Sequence, residues 1–182
     1  MRLFGFAGFS NSGKTTLIEK LIPRFVERGL RVSLIKHAHH AFDVDQPGKD
    51  SYRHREAGCG EVLVTSSRRW ALMHELRGAP EPRLEELIEQ LSPCNLVLVE
   101  GFKREAIPKL EVHRHAIEGA DFLHTHDPHI VAVASDVPVE SRLQVFDLND
   151  VGAIAGFVVE HAQRIAAPLP RLLRATGDKA VW

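Results

Sequence analysis

A three-layer α/β fold, a mainly parallel sheet with helices on both faces, is predicted by three observations. Residues Gly8 to Thr15 read G-F-S-N-S-G-K-T and join a short apolar run, Leu3-Phe4-Gly5-Phe6-Ala7, to a segment that turns helical from Thr16. Apolar runs of strand length then alternate along the chain with segments of helical period, the pattern of a parallel sheet with crossover helices. One run, Leu96-Val97-Leu98-Val99, is apolar without interruption, as suits a strand buried on both faces.

The elements follow in order. Leu17, Ile18, Leu21, Ile22, Phe25 and Val26 form one stripe of a first helix that should end by Gly29, with Pro23 inside it as a predicted bend. Val32 to Lys36 is the second strand. A polar stretch through Asp43, Asp45, Pro47 and Gly48 leads to a short helix near Asp50 to Ala57. Val62 to Thr65 and Trp70 to His74 read as a hairpin around Ser66-Ser67-Arg68-Arg69. Pro80 and Pro82 break the chain before an amphipathic helix marked by Leu84, Leu87, Ile88 and Leu91. Strands at Leu96 to Val99, Leu110 to Val112 and Ile130 to Ala134 come next, with a histidine-rich loop between the last two. A final helix, Asp150 to Ala162, buries Ile154, Phe157, Val158 and His161.

The chain has 182 residues, 44% hydrophobic and 26% charged, enough for one well-buried domain, expected over 1–165. The segment 166–182, with Pro168, Pro170, Arg171, Arg174 and Gly177, is expected to be an extended or disordered tail. A net charge of −1 gives no global case for nucleic acid or membrane as a partner. No run approaches the roughly 18 apolar residues of a spanning helix, and a cytoplasmic location is expected. Cys59 and Cys94 lack C-x-x-C spacing and read as two reduced, largely buried thiols.

Gly8-x-x-x-x-Gly13-Lys14-Thr15 matches the phosphate-binding loop, and its strand and helix context assigns the fold to the P-loop NTPase type. Gly8 and Gly13 let the backbone approach phosphate, so that N–H groups, those of Asn11, Ser12 and Thr16 among them, face an anion at a helix N-terminus. Lys14 is placed to reach the β- and γ-phosphates, and Thr15 offers a hydroxyl to Mg²⁺. Glu100 follows the apolar strand directly, where a phosphate-loop fold usually places its second contact to the metal or to metal-bound water. Lys36 and His37 end the second strand at the same ligand-bearing edge, followed by His39 and His40; an imidazole there either bonds phosphate or is solvated. Asp43, Asp45 or Asp50 can complete the Mg²⁺ shell or orient the attacking water, and Asp50 can instead be only a helix cap. The guanine signature N-K-x-D is absent. Its nearest substitute is Ala134-Ser135-Asp136, where Asp136 either accepts hydrogen bonds from a guanine edge or belongs to a plain turn.

The combination G-F-S-N-S-G-K-T-T-L, K-H-A-H-H, D-V-D-Q-P-G-K-D-S-Y-R-H-R-E-A-G, L-V-E-G-F-K and V-A-V-A-S-D resembles the molybdopterin-guanine dinucleotide biosynthesis protein B family (MobB), from Phe4 to about Val159. Five motifs in this order make the resemblance specific. It implies a cytoplasmic, homodimeric GTP-binding adapter with slow GTPase activity, acting with a MobA-type molybdopterin guanylyltransferase and with contact to molybdopterin itself. The order of elements is also similar to dethiobiotin synthetase. That likeness implies Mg²⁺ on Thr15, Asp50 and Glu100, with Asp50 and Glu100 also catalytic, and leaves an ATP-dependent small-molecule kinase or ligase as an alternative. A metal-delivery GTPase is a third reading, from 11 histidines that include His113, His115, His124, His126 and His129.

Overall fold

The apolar run at the N-terminus is β1 (Arg2–Ala7) of a computed structural model that describes residues 1–38, 42–116 and 121–167. After it come α1 (Lys14–Glu27), β2 (Val32–Lys36), α2 (Asp50–Glu56), β3 (Glu61–Thr65), β4 (Trp70–His74), α3 (Leu84–Gln90) and β5 (Leu96–Glu100). The chain continues through β6 (Lys109–His113), β7 (Ile130–Ser135), β8 (Gln144–Asp147), α4 (Val151–His161) and β9 (Gln163–Arg164), with a 3₁₀ turn at Leu123–Thr125. Two compact units emerge, one formed by residues up to His37 and from Leu84 onward, the other by residues 38–83.

In the larger unit the strand order is β2-β5-β1-β6-β7-β8, every pair along it parallel, and β9 adds an antiparallel pairing to Arg2 and Leu3 of β1. Alternate residues of each strand serve different cores. Phe4 and Phe6 of β1 and Leu96 and Leu98 of β5 pack with α1 and α4 on one face, while Leu3, Val97 and Val99 pack with Leu84 and Ile88 of α3 on the other. That division makes the three layers. Edge-to-face contacts link Phe6, Phe4, Phe157 and Phe146 in sequence, at 5.7, 6.4 and 5.2 Å, and fix α4 against the sheet. Asp150 caps α4 by accepting from the Ala153 amide at 3.0 Å. Because the strands run parallel, the segments after Ala7, Lys36, Glu100, His113 and Ser135 all leave the same sheet edge.

In the smaller unit, β3 and β4 pair antiparallel from Glu61↔His74 to Thr65↔Trp70, closed by the expected Ser66–Arg69 turn. Arg55 of α2 is its organising side chain, paired with Asp43, Asp45 and Glu75 at 2.8, 3.4 and 2.7 Å.

Several expectations need correction. The first helix begins at Lys14, not Thr16, and Val26 is 56% exposed because it lies off the stripe carrying Leu17, Ile18, Leu21 and Phe25. Pro23 sits within α1 on its exposed side, where the Glu19 carbonyl that loses its helical donor faces water. His161 is exposed and stacks flat on Phe157 at 3.8 Å instead of entering the core. Cys59 is exposed and Cys94 only partly buried, both as free thiols. β8 and β9 were not expected. The tail from residue 168, and His39 and His40, lie outside the described residues.

Candidate nucleotide-binding site

The loop Gly8–Thr15 bridges the central strand and α1. Three of its residues hold positive φ: Gly8 (148°), Asn11 (64°) and Gly13 (89°). A Cβ on Gly8 would stand 2.5 Å from the Val112 carbonyl oxygen, which leaves no room for a side chain, and Gly13, beside the Arg114 guanidinium, holds a φ of 89° that a side chain would strain. Ser12 is buried and its amide donates to the Phe9 carbonyl at 3.2 Å, closing the turn. The ammonium of Lys14 lies within the loop, donating to the carbonyls of Phe9 (2.6 Å) and Gly8 (3.1 Å) and to Oγ of Ser12 (3.4 Å). Burial first, and then repulsion from Lys103 and Lys36 against the opposing pull of Glu100, holds that ammonium below the usual lysine range.

Thr15, Lys36 and Glu100 meet beside it. Thr15 Oγ1 donates to Oε1 of Glu100 at 2.5 Å, and Nζ of Lys36 reaches the same two oxygens at 3.2 and 3.4 Å. The Glu100 side chain is almost wholly buried, and its other oxygen, Oε2, has no hydrogen-bond partner among the described residues. A threonine hydroxyl beside a carboxylate with an uncommitted buried oxygen is a hard-oxygen donor pair of the kind Mg²⁺ accepts. His37 is tied to this strand end, its amide donating to the Glu100 carbonyl at 2.9 Å and its ring 5.0 Å from that of Phe102.

Residues 3–136 match the family model described as molybdopterin guanine dinucleotide synthesis protein B, MobB. The chain belongs to the MobB family. It is 46% identical over 164 residues to the molybdopterin-guanine dinucleotide biosynthesis adapter protein of Escherichia coli K12, an alignment covering 89% of this chain and 94% of the relative. It is 45% identical to the protein of the same name from Haemophilus influenzae, over 86% of both chains. Among solved structures, a molybdopterin-guanine biosynthesis protein B aligns at 28% identity with a TM-score of 0.69, covering 87% of this chain and 98% of the other. A MobB homologue from Bacillus stearothermophilus aligns at 27% identity with a TM-score of 0.67, covering 88% and 97%. The expected α/β fold and family are thereby established.

For this MobB chain, the structure brings Gly8, Asn11, Ser12, Gly13, Lys14, Thr15, Thr16, Lys36, His37 and Glu100 to one sheet edge. Asp136, just past β7 at that edge, spends Oδ1 on the His115 amide at 2.9 Å and so ties the ends of β6 and β7 together. Asp50 lies in the smaller unit as the first residue of α2, with Lys49 at the cap position, and its exposed carboxylate has Arg53 at 3.8 Å. Asp43 and Asp45 are more committed: Asp43 takes both its oxygens to Arg55, and Asp45 accepts from Ser51, Gln46 and Arg55.

Among the described residues the histidines form no metal-holding group. His124 is paired with buried Glu111 at 2.7 Å, His113 packs on Phe122 at 4.4 Å, and among the described residues no group of three His, Cys, Asp or Glu side chains is placed to hold a metal. Among these residues no helix is long and apolar enough to cross a membrane. Two basic residues at the loop escaped the sequence reading, Lys103 over the Phe9 ring at 4.9 Å and Arg114 against Gly13. Each follows the carboxyl end of a strand, the same signal that marks Glu100, and applying it to β6 as well as β5 would have found both.

Proposed function

We propose that this chain is a GTP-binding adapter in the guanylation of molybdopterin, assisting a MobA-type guanylyltransferase in the cytoplasm and working as a homodimer. The observation that carries the reading is the phosphate loop with Thr15 and Glu100 joined beside Lys14, in a chain whose relatives are named as adapter proteins of molybdopterin-guanine dinucleotide biosynthesis. Thr15 and Glu100 would hold Mg²⁺, the free Oε2 of Glu100 being the atom that fits it. The ion supplies charge neutralisation at the phosphates when bound. Of Asp43, Asp45 and Asp50, Asp50 has the weakest competing contacts, which favours it as the further ligand or water-orienting group. The second oxygen of Asp136 is left to accept from a guanine edge.

Hydrolysis is slow in this reading. Phosphoryl transfer needs a positioned water, and Glu100, the buried carboxylate at the loop, already serves Thr15 and Lys36. The test combines GTP titration with reconstituted guanylation of molybdopterin. Addition of the protein should raise the yield of guanylated cofactor, while Lys14→Ala should weaken GTP by at least ~10-fold in a folded protein and remove the enhancement. Fast ATP-dependent phosphorylation of a small metabolite, with no effect on guanylation, would overturn the adapter reading.

A further inference from the structure

The segment between β5 and β6 is built into the nucleotide site from two sides. At its start Phe102 holds φ of 47° and sets its ring against His37, and the next residue lays its ammonium over Phe9 of the phosphate loop at 4.9 Å. Phe9 is shared, because its carbonyl also accepts from Lys14 Nζ at 2.6 Å. The two ammonium groups therefore flank one loop residue, close enough that Lys103 raises the cost of the Lys14 charge.

The backbone that delivers Lys103 is anchored by a wholly buried lysine. Lys109 Nζ donates to the carbonyls of Lys103 (2.9 Å) and Glu105 (2.7 Å) and pairs with Asp127 at 2.6 Å. Its stem crosses β1 where the strand has a glycine: a Cβ on Gly5 would lie 2.6 Å from Lys109 Cγ. A buried charge is tolerated only when such partners satisfy it, so this arrangement holds the segment in one position.

Charge balance at the site then asks for a ligand. Lys14, Lys36 and Lys103 converge where Glu100 is the buried carboxylate, which leaves net positive charge for a polyanion to neutralise. In a loop of this pattern Lys14 serves the outer phosphates of a bound nucleotide, and Lys103 holds its ammonium over the ring of Phe9, the loop residue whose carbonyl accepts from Lys14. We propose that Lys103 is a second phosphate-binding cation, directed at the terminal phosphate, by which this site separates nucleoside triphosphate from diphosphate. The proposal rests on the reading of the loop as a triphosphate site.

The experiment measures binding of N-methylanthraniloyl GTP and GDP to the full chain and to its Lys103→Gln, Lys103→Arg and Lys14→Ala variants, with thermal unfolding as the check on folding. Lys103→Gln should weaken the triphosphate by ~10-fold or more and the diphosphate by less than about 3-fold, and Lys103→Arg should restore discrimination. Equal losses for both nucleotides, or none, would overturn the assignment of Lys103. With Lys14→Ala weakening both nucleotides and Lys103→Gln inert, the nucleotide reading stands and the Lys103 proposal alone falls. A wild-type chain that binds neither nucleotide removes both.

Discussion

The two carboxylate oxygens of Glu100 stand in different surroundings, and one substitution tests the role proposed for the second. Its Oε1 braces Thr15 and Lys36, and its Oε2 is buried with no hydrogen-bond partner among the described residues, which is why it is the atom proposed for Mg²⁺. Glu100→Gln keeps the shape and removes the charge. Nucleotide affinity without Mg²⁺ should then change little, whereas the gain in affinity on adding Mg²⁺ should shrink by about 10-fold, in keeping with the strength of charged contacts. Titrations with and without Mg²⁺ measure this directly, and an undiminished Mg²⁺ effect would remove Glu100 from the metal site. That residue was legible in the sequence, as were Lys14 and Thr15, because each is fixed by the chain immediately before it: a phosphate pattern after one strand, an acid at the end of another. Lys103 and Arg114 were not. They share with Glu100 a place just past a strand's carboxyl end, but their reach to the loop comes from β5 and β6 flanking β1 on either side.

Elements with long apolar stripes or unbroken apolar runs were legible for the same reason, and the exceptions are the short ones. β8 has four residues with Phe146 alone buried, and β9 has two, held by pairing with Arg2 and Leu3, so neither carries enough periodicity to declare itself. Asp50 shows a different limit, since its residue type and order are visible but its loop connections are not. The element that organises the smaller unit is α2, through Arg55. The bonds from Arg55 hold the Asp43 carboxyl below the usual carboxylate range, and Glu75 first and then Asp43 in turn raise the guanidinium. A depressed acid stabilises the fold above its unfolded value, 3.8, and that contribution disappears as pH falls through the lower folded value. Amide protection factors in residues 50–75 should therefore fall selectively as the pH is taken below 4, and Arg55→Ala should lower them in the same way at neutral pH by leaving three carboxylates facing one another. Protection in the variant equal to wild type at neutral pH would show that the cluster does not organise this unit.

At the scale of the whole molecule, the hairpin of the smaller unit is the feature an isolated chain leaves unresolved. A two-stranded sheet in water is marginal, yet β3 and β4 are strongly apolar, with Trp70 and Leu63 59% and 57% exposed and Val64 also exposed. Register places Leu63 opposite Leu72 and Thr65 opposite Trp70, so Leu63 and Trp70 share one face of the ribbon. Covering such side chains contributes roughly 1.5–3 kcal/mol each, a gain a second copy of the chain can supply to both partners at once through a two-fold axis. The hairpin face is therefore where the proposed homodimer is expected to close. Sedimentation equilibrium should show a dimer at micromolar concentration, and Leu63→Glu combined with Trp70→Glu should yield a monomer that still binds nucleotide, because the phosphate loop, Lys36 and Glu100 all belong to the larger unit. A wild-type monomer would exclude the dimer, and a double variant that stays dimeric would move the interface off this hairpin.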